Sequence, residues 1–495
     1  LLMKLYVYPQ NKNMYDEYIE HSNPRYANSK DIGRELEVHT YENAVVLGQC
    51  KGWRTEDGIN RFSEINSGCL DTDNQWIKDS ETHFGQVDDY QIDTPIEYVD
   101  EEVLYGGFII PHYGHFLTQS VLRLWAYFKN DYQGNKIAFS AGPGDIPQYA
   151  KDFFALAGIA KENIIFVRKP TRFKKVLIPE KAVMPDWGYY SKEFLVPFHK
   201  IRDNENIAAG TAERIYMSRC KFGGKAHCFG EEAIEEVFRK NGFKIVYPEM
   251  LTLEEQVSLM KGAKHLAALN GTPLNNGFFA YPGLKVWSLS RCSSFNGQIV
   301  SAYLAGYDAA FIDVYYDILP VAHAVGPFVV GVSKELNQAL KEENLLPGTA
   351  EEPVDKYFAG WIETYLANYL DDASLAKLLS VCRDKKERRM LAAVFSLYAQ
   401  KLTWLRIWWL ICWKLSKKEK KQKYKMFYKN SKNIKKTMEG LKESAGFIRS
   451  QVAKTINLRI TPELIFEIDD SLEYGEKIEK ILKELKNEGS GVNEE

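Results

Sequence analysis

The strongest constraint on the fold is a regular alternation of strand-like and helix-like segments after Glu213. The apolar runs RIYMSR, KIVYPE, HLAALNGT and KVWSLS are typical of buried strands. Between them, EEAIEEVFRKNG has helical periodicity and ends at Gly242, and TLEEQVSLMKGA begins with a capping box formed by Thr252 and Glu255. This order predicts a parallel sheet with helices on both faces.

The rest of the chain is organised around this segment. Because 495 residues are too many for one hydrophobic core, we expect several domains. The runs YGGFII, NKIAFSA, NIIFVRK and KKVLIPE predict further strands before it, and the composition becomes helical after it. The predicted domains are an N-terminal α/β domain (1–205), a Rossmann-like domain (206–330), a helical extension (331–450) and an acidic, partly disordered tail (451–495).

Charge and cysteine usage narrow the class of protein. The net charge of −2 does not favour a polyanion binder, and the seven cysteines form no CxxC pair, which favours reduced thiols in the cytoplasm. The first ten residues lack the apolar region of a secretion signal, and no run reaches the length of a membrane-spanning helix.

Two weak metal motifs are present, and we expect no metal site from either. Cys220, His227 and Cys228 lack a second ligand pair nearby in the sequence. Asp71 and Asp73 form a DxD, but they lie in a turn-like stretch far from the predicted parallel sheet.

The segment ALNGTPLNNGFF predicts a strand that ends in a small polar turn and continues directly into a helix. In a parallel sheet this is the edge where ligands bind, and a helix start favours an anion such as a diphosphate. Asn270, Gly271, Thr272 and Asn276 are therefore candidate ligand contacts, although a tight turn that binds nothing has the same pattern.

Two other stretches supply charged or titratable groups. RIYMSRCKFGGK ends a strand with Arg219 and continues with Lys225, so both are candidate phosphate contacts or members of a solvated basic loop. PHYGHFLTQSVLRLW opens a helix with His115, which is a candidate proton acceptor or a histidine bonded into the core. We interpret His112 as structural.

Taken in order, YGGFIIPHYGHFLTQSVLRLW, IYMSR and the stretch from GEEAIEEVF to NGTPLNNGFFAYPG resemble glycosyltransferase family 61 over roughly residues 40–330. The resemblance implies a GT-B-like α/β fold, in which two Rossmann-like domains face a cleft. It also implies inverting, metal-independent transfer from a nucleotide-diphosphate sugar, such as a UDP-sugar, with no other cofactor.

The resemblance also suggests roles for the candidate residues. Arg219, Lys225 and the turn from Asn270 to Asn276 would hold the diphosphate, and His115 would be the base on the acceptor side. Asp88 and Asp89 are the alternative bases. The pathway it implies is bacterial surface polysaccharide synthesis, such as capsule or lipopolysaccharide, with a glycan or lipid-linked acceptor.

The chain also departs from the family pattern. Asn270 stands where a histidine is usual, Gly230 where an asparagine is usual, and Gln119 and Ser288 where a glutamate is common. These departures leave open an alternative function, a catalytically degenerate, membrane-associated scaffold that binds a glycan or a nucleotide.

A cluster of tryptophans followed by lysines marks residues 402–436. Residues 401–450 contain 15 Lys or Arg and three Glu. This composition favours contact with an anionic membrane surface and a peripheral position on the inner face of the cell membrane, and it does not favour nucleic acid. A buried helix that packs the main domains together is the alternative.

Overall fold

The computed structural model describes eleven ranges: 5–8, 30–56, 59–81, 95–184, 189–293, 298–323, 325–350, 353–382, 387–388, 391 and 394–395. The chain divides into two compact units, Leu1–Asn368 and Tyr369–Glu495. The two largest sheets, of six and seven strands, lie in the first unit.

The elements follow in chain order. The strands are β1 Leu5–Tyr8, β2 Lys30–Asp31, β3 Val38–Glu42, β4 Val45–Val46, β5 Cys50–Glu56, β6 Ile59–Asn66, β7 Cys69–Leu70, β8 Glu97–Phe108, β9 Lys136–Ser140, β10 Ile164–Val167, β11 Thr171–Pro179, β12 Val183–Met184, β13 Tyr189–Tyr190, β14 Arg214–Met217, β15 Cys228–Phe229, β16 Lys244–Val246, β17 His265–Leu269, β18 Lys285–Ser290, β19 Asp308–Asp313 and β20 Phe328–Val329. The α-helices are α1 Tyr113–His115, α2 Gln148–Leu156, α3 Val196–Arg202, α4 Glu231–Lys240, α5 Leu253–Gly262, α6 Gln298–Ala305, α7 Lys334–Glu342, α8 Val354–Asn368 and α9 Asp372–Val381. A π-helical turn covers Phe116–Ser120, and 3₁₀ segments cover Lys78–Ser80, Leu124–Phe128, Lys161–Asn163, Lys192–Leu195, Pro248–Met250 and Thr272–Phe279.

The alternating segment forms the parallel sheet that its pattern predicts. Six strands pair in the order β1-β19-β18-β17-β14-β16, and all five pairings are parallel. Helices α4 and α5 fall between the strands as expected. The capping box of α5 is present, because Thr252 Oγ1 accepts the amide of Glu255 and the Glu255 carboxylate accepts the amide of Thr252.

Alternate residues of each parallel strand face two different apolar layers. In β17, Leu266 and Ala268 belong to a core that also contains residues of the first sheet, the one formed around β8–β11 in the first half of the chain. Ala267 and Leu269 face a separate core that contains Trp287. Both faces of the sheet are therefore covered, which explains why these strands are continuously apolar rather than alternating.

The first sheet is mixed and curled. Strands β8, β9, β10 and β11 are parallel in the order β10-β9-β8-β11, but β3 and β4 pair antiparallel with β11, and β7 pairs antiparallel with β4. The turn after β4 then contacts the residue that follows β9, where the Gln49 amide donates to the Ala141 carbonyl at 3.1 Å. An inner core that includes Val46, Tyr105 and Phe173 fills the curl.

The α/β class is confirmed, but the first half of the chain differs from the expected second Rossmann-like domain. A Rossmann-like sheet is open and mostly parallel, whereas this sheet contains antiparallel pairs and curls round its own core. The predicted boundary at residue 205 falls between the two sheets. However, β1 from the start of the chain pairs with β19, and one apolar core joins both sheets.

Three helices follow the parallel sheet within the described residues. The apolar face of α7 packs in the sheet's second core, and α8 is held by bonds from Trp361 Nε1 to Pro327 O (3.1 Å) and from Tyr365 Oη to Pro320 O (2.7 Å). In the second unit, Asp371 caps α9. The segment 402–436 and the tail 451–495 lie outside the described residues, among which no helix is long and apolar enough to cross a membrane.

Candidate functional site

The chain order of the parallel sheet reverses between β14 and β17. From β14 the chain passes to β16 on one side and then to β17 on the other. Ligands of open parallel sheets bind outside the carboxyl ends of the strands at such a reversal. Arg219 lies two residues beyond β14, and Asn270 directly follows β17, so both predicted ligand contacts lie at the edge that the topology favours.

The helical turn α1 packs directly against the turn that follows β17. A Cβ atom built on Gly114 would overlap the hydroxyl of Thr272 and would lie 3.2 Å from the Cβ and Cγ2 atoms of that residue. Beside this contact, the Tyr113 hydroxyl donates to Asn276 Oδ1 at 2.7 Å. Gly114 is therefore required for a close approach between elements that lie more than 150 residues apart.

Two histidines stand at the start of this turn. The ring centroids of His112 and His115 are 4.8 Å apart, and His112 Nδ1 accepts the amide of His115 at 3.4 Å. Both residues are exposed. Desolvation of the ring by the surrounding protein and, to a lesser extent, the charge of Arg219 lower the pKa of His112.

The sequence interpretation of His112 as structural missed this link. Arg219 comes from the parallel sheet and His112 from the turn after β8, so their electrostatic contact couples the two halves. In the sequence, His112 is marked only by its position three residues before His115. That spacing does not show which of the two histidines interacts with Arg219.

Arg219 is fixed through its backbone. Its amide donates to Glu231 Oε1 at 3.0 Å, and the Tyr216 hydroxyl donates to the same oxygen at 3.0 Å. The Arg219 guanidinium lies 4.5 Å from the centroid of the Phe222 ring, and its buried Nε has no hydrogen-bond partner in the described part of the chain.

Glu231 itself is fully buried at the start of α4. Burial raises its pKa to about 7, against the opposing effect of the bonds from Arg219 and Tyr216. The residue before it, Gly230, has φ of +93°, and a Cβ there would overlap the carbonyl of Val330. The departure from the family's asparagine therefore has a local structural reason in this chain.

The turn after β17 is more closed than its sequence predicts. Gly271 N–H donates to Gln298 Oε1 at 3.1 Å, and Gln298 Nε2 donates back to the Gly271 carbonyl. The amide expected to face a phosphate is thus already bonded to a side chain at the start of α6. Asn270 is fully buried, and neither polar atom of its side chain has a partner among the described residues.

The other candidate residues differ in their exposure to solvent, and two of them lie outside the described residues. Asn276 is fully buried, and its amide nitrogen donates to the Pro273 carbonyl at 3.1 Å, so its predicted contact with a phosphate stays a prediction. Lys225 is exposed. The alternative bases, Asp88 and Asp89, lie outside the described residues.

A buried arginine that the sequence analysis missed lies beside the same turn. Arg291 follows β18 directly, as a cation at a strand end, which is the signal that singled out Arg219. It is only 6% exposed, and its Nη2 lies 3.7 Å from a Cβ built on Gly271. The same Nη2 donates to the carbonyl of His323 at 3.3 Å.

Neither weak metal motif gathers a ligand set. Among the residues that the structure describes, no group of three or more His, Cys, Asp or Glu side chains could hold a metal ion. Asp71 instead closes its own turn, since its Oδ1 accepts the amides of Asp73 and Gln75.

Two separate segments of the chain match known protein families. Residues 113–287 match the family model described as Glycosyltransferase 61, and residues 417–482 match the family model described as Ribosome-binding factor A. The first match covers about a third of the chain and contains α1, β14 and the turn after β17, but not Arg291. It supports glycosyltransferase activity, and it supports the resemblance for this part of residues 40–330.

The curated relatives correspond to the second match. The chain is 51% identical over 67 residues to the ribosome-binding factor A of Caldanaerobacter subterraneus subsp. tengcongensis, which is 13% of this chain and 55% of the relative. It is also 51% identical over 57 residues to that of Geobacter metallireducens, which is 12% of this chain and 48% of the relative. The chain thus spans about half the length of these relatives.

Proposed function

We propose that the first unit is a glycosyltransferase that moves a sugar from a nucleotide-diphosphate donor, such as a UDP-sugar, with inversion and without an essential metal. The proposed acceptor is a glycan or a lipid-linked glycan of bacterial surface polysaccharide, as the resemblance implies. The arrangement we propose is GT-B-like, with the parallel sheet on the donor side.

One observation carries this proposal. The contact of Gly114 with Thr272 and the bond from Tyr113 to Asn276 bring the histidine-bearing turn to the carboxyl edge of the parallel sheet. There the charge of Arg219 acts on His112. A titratable group and a cation at the ligand-binding edge are the two elements that sugar transfer from a diphosphate needs.

The chemistry follows from these two elements. A base accepts the proton of the acceptor hydroxyl as the oxygen attacks the anomeric carbon, while the bond to the diphosphate breaks. A guanidinium stabilises the negative charge that develops on the leaving diphosphate. We assign that charge to Arg219 and the base to His112 or His115, with Asp88 and Asp89 as the alternatives.

A nucleotide panel tests the donor half. We expect one nucleoside diphosphate to raise the melting temperature by several degrees, since a hundredfold excess over the Kd stabilises a protein by about 2.7 kcal/mol. The variant Arg219→Met should reduce this shift strongly. Lys244→Met is a matched control, because Lys244 is exposed and begins β16, which places it at the amino edge of the parallel sheet.

Transfer assays with the donor so identified test the base. We expect His112→Ala or His115→Ala to lower the rate by two or more orders of magnitude. If both histidine variants and Arg219→Met kept the wild-type rate, the site as proposed would be wrong. Nucleotide binding without any transfer or donor hydrolysis would favour the alternative, a degenerate scaffold that binds a nucleotide or a glycan.

We propose a second, separate function for residues 417–482, namely binding to a ribosomal surface. The match to Ribosome-binding factor A and the printed name of the relatives favour it. It differs from the expectation that no nucleic acid is bound, and it competes with the membrane surface for the basic residues of 402–436.

Two assays on the full chain separate these partners. Cosedimentation with purified ribosomal subunits, lost after truncation at residue 416, would support ribosome binding. Flotation with anionic liposomes, lost when the four tryptophans of 402–416 together with Arg406 and Lys414 are replaced, would support a peripheral position on the inner membrane face. A chain that cosediments equally with and without 417–482 would contradict the ribosomal proposal.

A further inference from the structure

Beside the candidate donor site lies a buried positive charge that the proposed transfer has not used. Arg291 is 6% exposed, and its Nε and Nη1 have no hydrogen-bond partner among the described residues. Arginine stays protonated in proteins, so this charge cannot be removed by loss of a proton. A buried cation without a counter-ion is strongly unfavourable, which makes the group unexpected in a purely structural role.

The guanidinium is nevertheless held firmly in position. Its Nη2 donates to the carbonyl of His323 at 3.3 Å, and its Cζ lies 4.6 Å from the centroid of the Phe328 ring. These contacts occupy one corner and one face of the group. Nη2 also lies 3.4 Å from His323 Nε2. Nε and Nη1 point to different sides of the guanidinium, with Nη2 between them, and neither has a hydrogen-bond partner among the described residues.

The electrostatic neighbours of Arg291 increase the need for an anion. Its interacting groups include the thiols of Cys228 and Cys292 and a second cation, Arg219. The Cys228 thiol interacts with both guanidinium groups, so the two arginines converge on it from different strand ends. In the described part of the chain, no ion pair joins a carboxylate to Arg291.

A further buried polar group lies at the same edge. Asn270 is fully buried with both side-chain polar atoms unpartnered in the described residues, and it precedes Gly271, which lies against Arg291. The start of the 3₁₀ segment Thr272–Phe279 adds a positive end to this corner. Two guanidiniums, an amide and a helix start thus lie at the same edge of the sheet. The described carboxylate that interacts with Arg219 is Glu231, whose pKa burial raises to about 7.

We propose that Arg291 and Arg219 together form a two-cation site for the diphosphate of the ligand, with Arg291 as a fixed phosphate contact. This inference deepens the proposed function and rests on it for the identity of the ligand. A guanidinium donates charge-assisted hydrogen bonds to phosphate oxygens, and the unpartnered Nε and Nη1 of Arg291 supply donors for them.

The test measures binding of inorganic diphosphate to the full chain by calorimetry. Arg291→Met removes the charge at similar length and should weaken binding at least tenfold. It should also raise the melting temperature of the unliganded protein, because it removes an uncompensated buried charge. A merely structural arginine would give the opposite pair of results, a lower melting temperature and unchanged binding.

Arg214→Met is the matched control. Arg214 begins β14, so it lies at the amino edge of the same sheet, opposite the proposed site. The Arg214→Met variant should bind inorganic diphosphate with the wild-type affinity. If Arg291→Met does not fold, Arg291→Gln keeps a donor for the His323 carbonyl, and Arg291→Lys keeps the charge without the fork; each should weaken binding several-fold.

The outcomes distinguish this inference from the proposed function. Wild-type affinity of any folded Arg291 variant for inorganic diphosphate would overturn the inference, even if transfer activity is found. Failure of the wild-type chain to bind inorganic diphosphate or a nucleoside diphosphate would also overturn it. Diphosphate binding that depends on Arg291, in a chain that transfers no sugar, would uphold the two-cation site and reject the proposed function.

Discussion

Gly114 and Thr272 meet so closely that a single added carbon on Gly114 would overlap the threonine hydroxyl. The two residues come from the helical turn after β8 and from the turn after β17. Their contact therefore sets the distance between the histidines of the first half and the cations of the second. Substitutions at this contact should change stability and the candidate site together.

The first prediction concerns Gly114→Ala. We expect it to lower the free energy of unfolding by about 1–3 kcal/mol, because overpacking of a closely packed contact forces backbone shifts. Urea denaturation measures the change. The added substitution Thr272→Ala should recover part of the loss, because it removes the overlapping hydroxyl and one neighbouring methyl group.

Gly223→Ala is its matched control. No atom lies within 4 Å of a Cβ built on Gly223, so alanine there should leave the unfolding free energy almost unchanged. Equal stability of the Gly114 and Gly223 variants would contradict the close approach.

The second prediction concerns the bond across the same contact. Tyr113→Phe removes the donor to Asn276 Oδ1 and leaves a buried amide oxygen unsatisfied. We expect a loss of about 1–3 kcal/mol in the free energy of unfolding. Tyr98→Phe serves for comparison, since Tyr98 is 58% exposed and should lose little. A loss no larger than that of Tyr98→Phe would show that the bond contributes little to stability.

The third prediction is a dependence of stability on pH caused by Glu231. Its pKa is about 7 in the folded chain, raised by burial from an ordinary value near 4.5. The folded state then holds a proton that the unfolded state has released between these values, so stability falls as pH rises from about 4.5 to 7. The full effect is on the order of 3 kcal/mol.

Denaturation at pH 5, 6, 7 and 8 measures this slope. Glu231→Gln should flatten it, because glutamine keeps an acceptor for Tyr216 and Arg219 but cannot ionise. Glu232→Gln, at the exposed neighbouring position, should keep the wild-type slope. An unchanged slope in Glu231→Gln would mean that other groups cause the pH dependence.

The parts of the fold that could be predicted are those specified by neighbouring residues. The capping box at Thr252, the glycine after α4 and the short apolar strands are local patterns, and the structure contains each of them. The antiparallel pairing of β3 and β4 with β11 depends on contacts more than 100 residues apart. No local pattern specifies such a pairing, so the curled first sheet was not predicted.

The same distinction holds for the candidate site. The position at a strand end singles out Arg219 and Asn270 as candidates from the sequence, and it applies equally to Arg291, which directly follows β18. The bond of Gln298 to Gly271 and the effect of Arg219 on His112 join distant segments. Such contacts decide which backbone amides and which histidine remain available to a ligand, and only the folded chain reveals them.

The fourth prediction tests that last contact without requiring any activity. Desolvation and then the charge of Arg219 lower the pKa of His112 below its usual value of about 6.5. Because a nearby positive charge disfavours the imidazolium, Arg219→Met should raise the pKa of His112. Desolvation remains in this variant, so the rise should be partial. NMR titration of the His112 ring, assigned by comparison with His112→Gln, measures it.

Lys244→Met should leave the His112 titration unchanged, since Lys244 begins β16 at the amino edge of the parallel sheet, opposite the carboxyl edge. A His112 pKa that is equal in wild type and Arg219→Met would show that the two groups do not interact. If His112 is also the base, the transfer rate should rise with pH through the same pKa. The rising limb should then move to higher pH in Arg219→Met by the amount that NMR gives, because both report one protonation equilibrium.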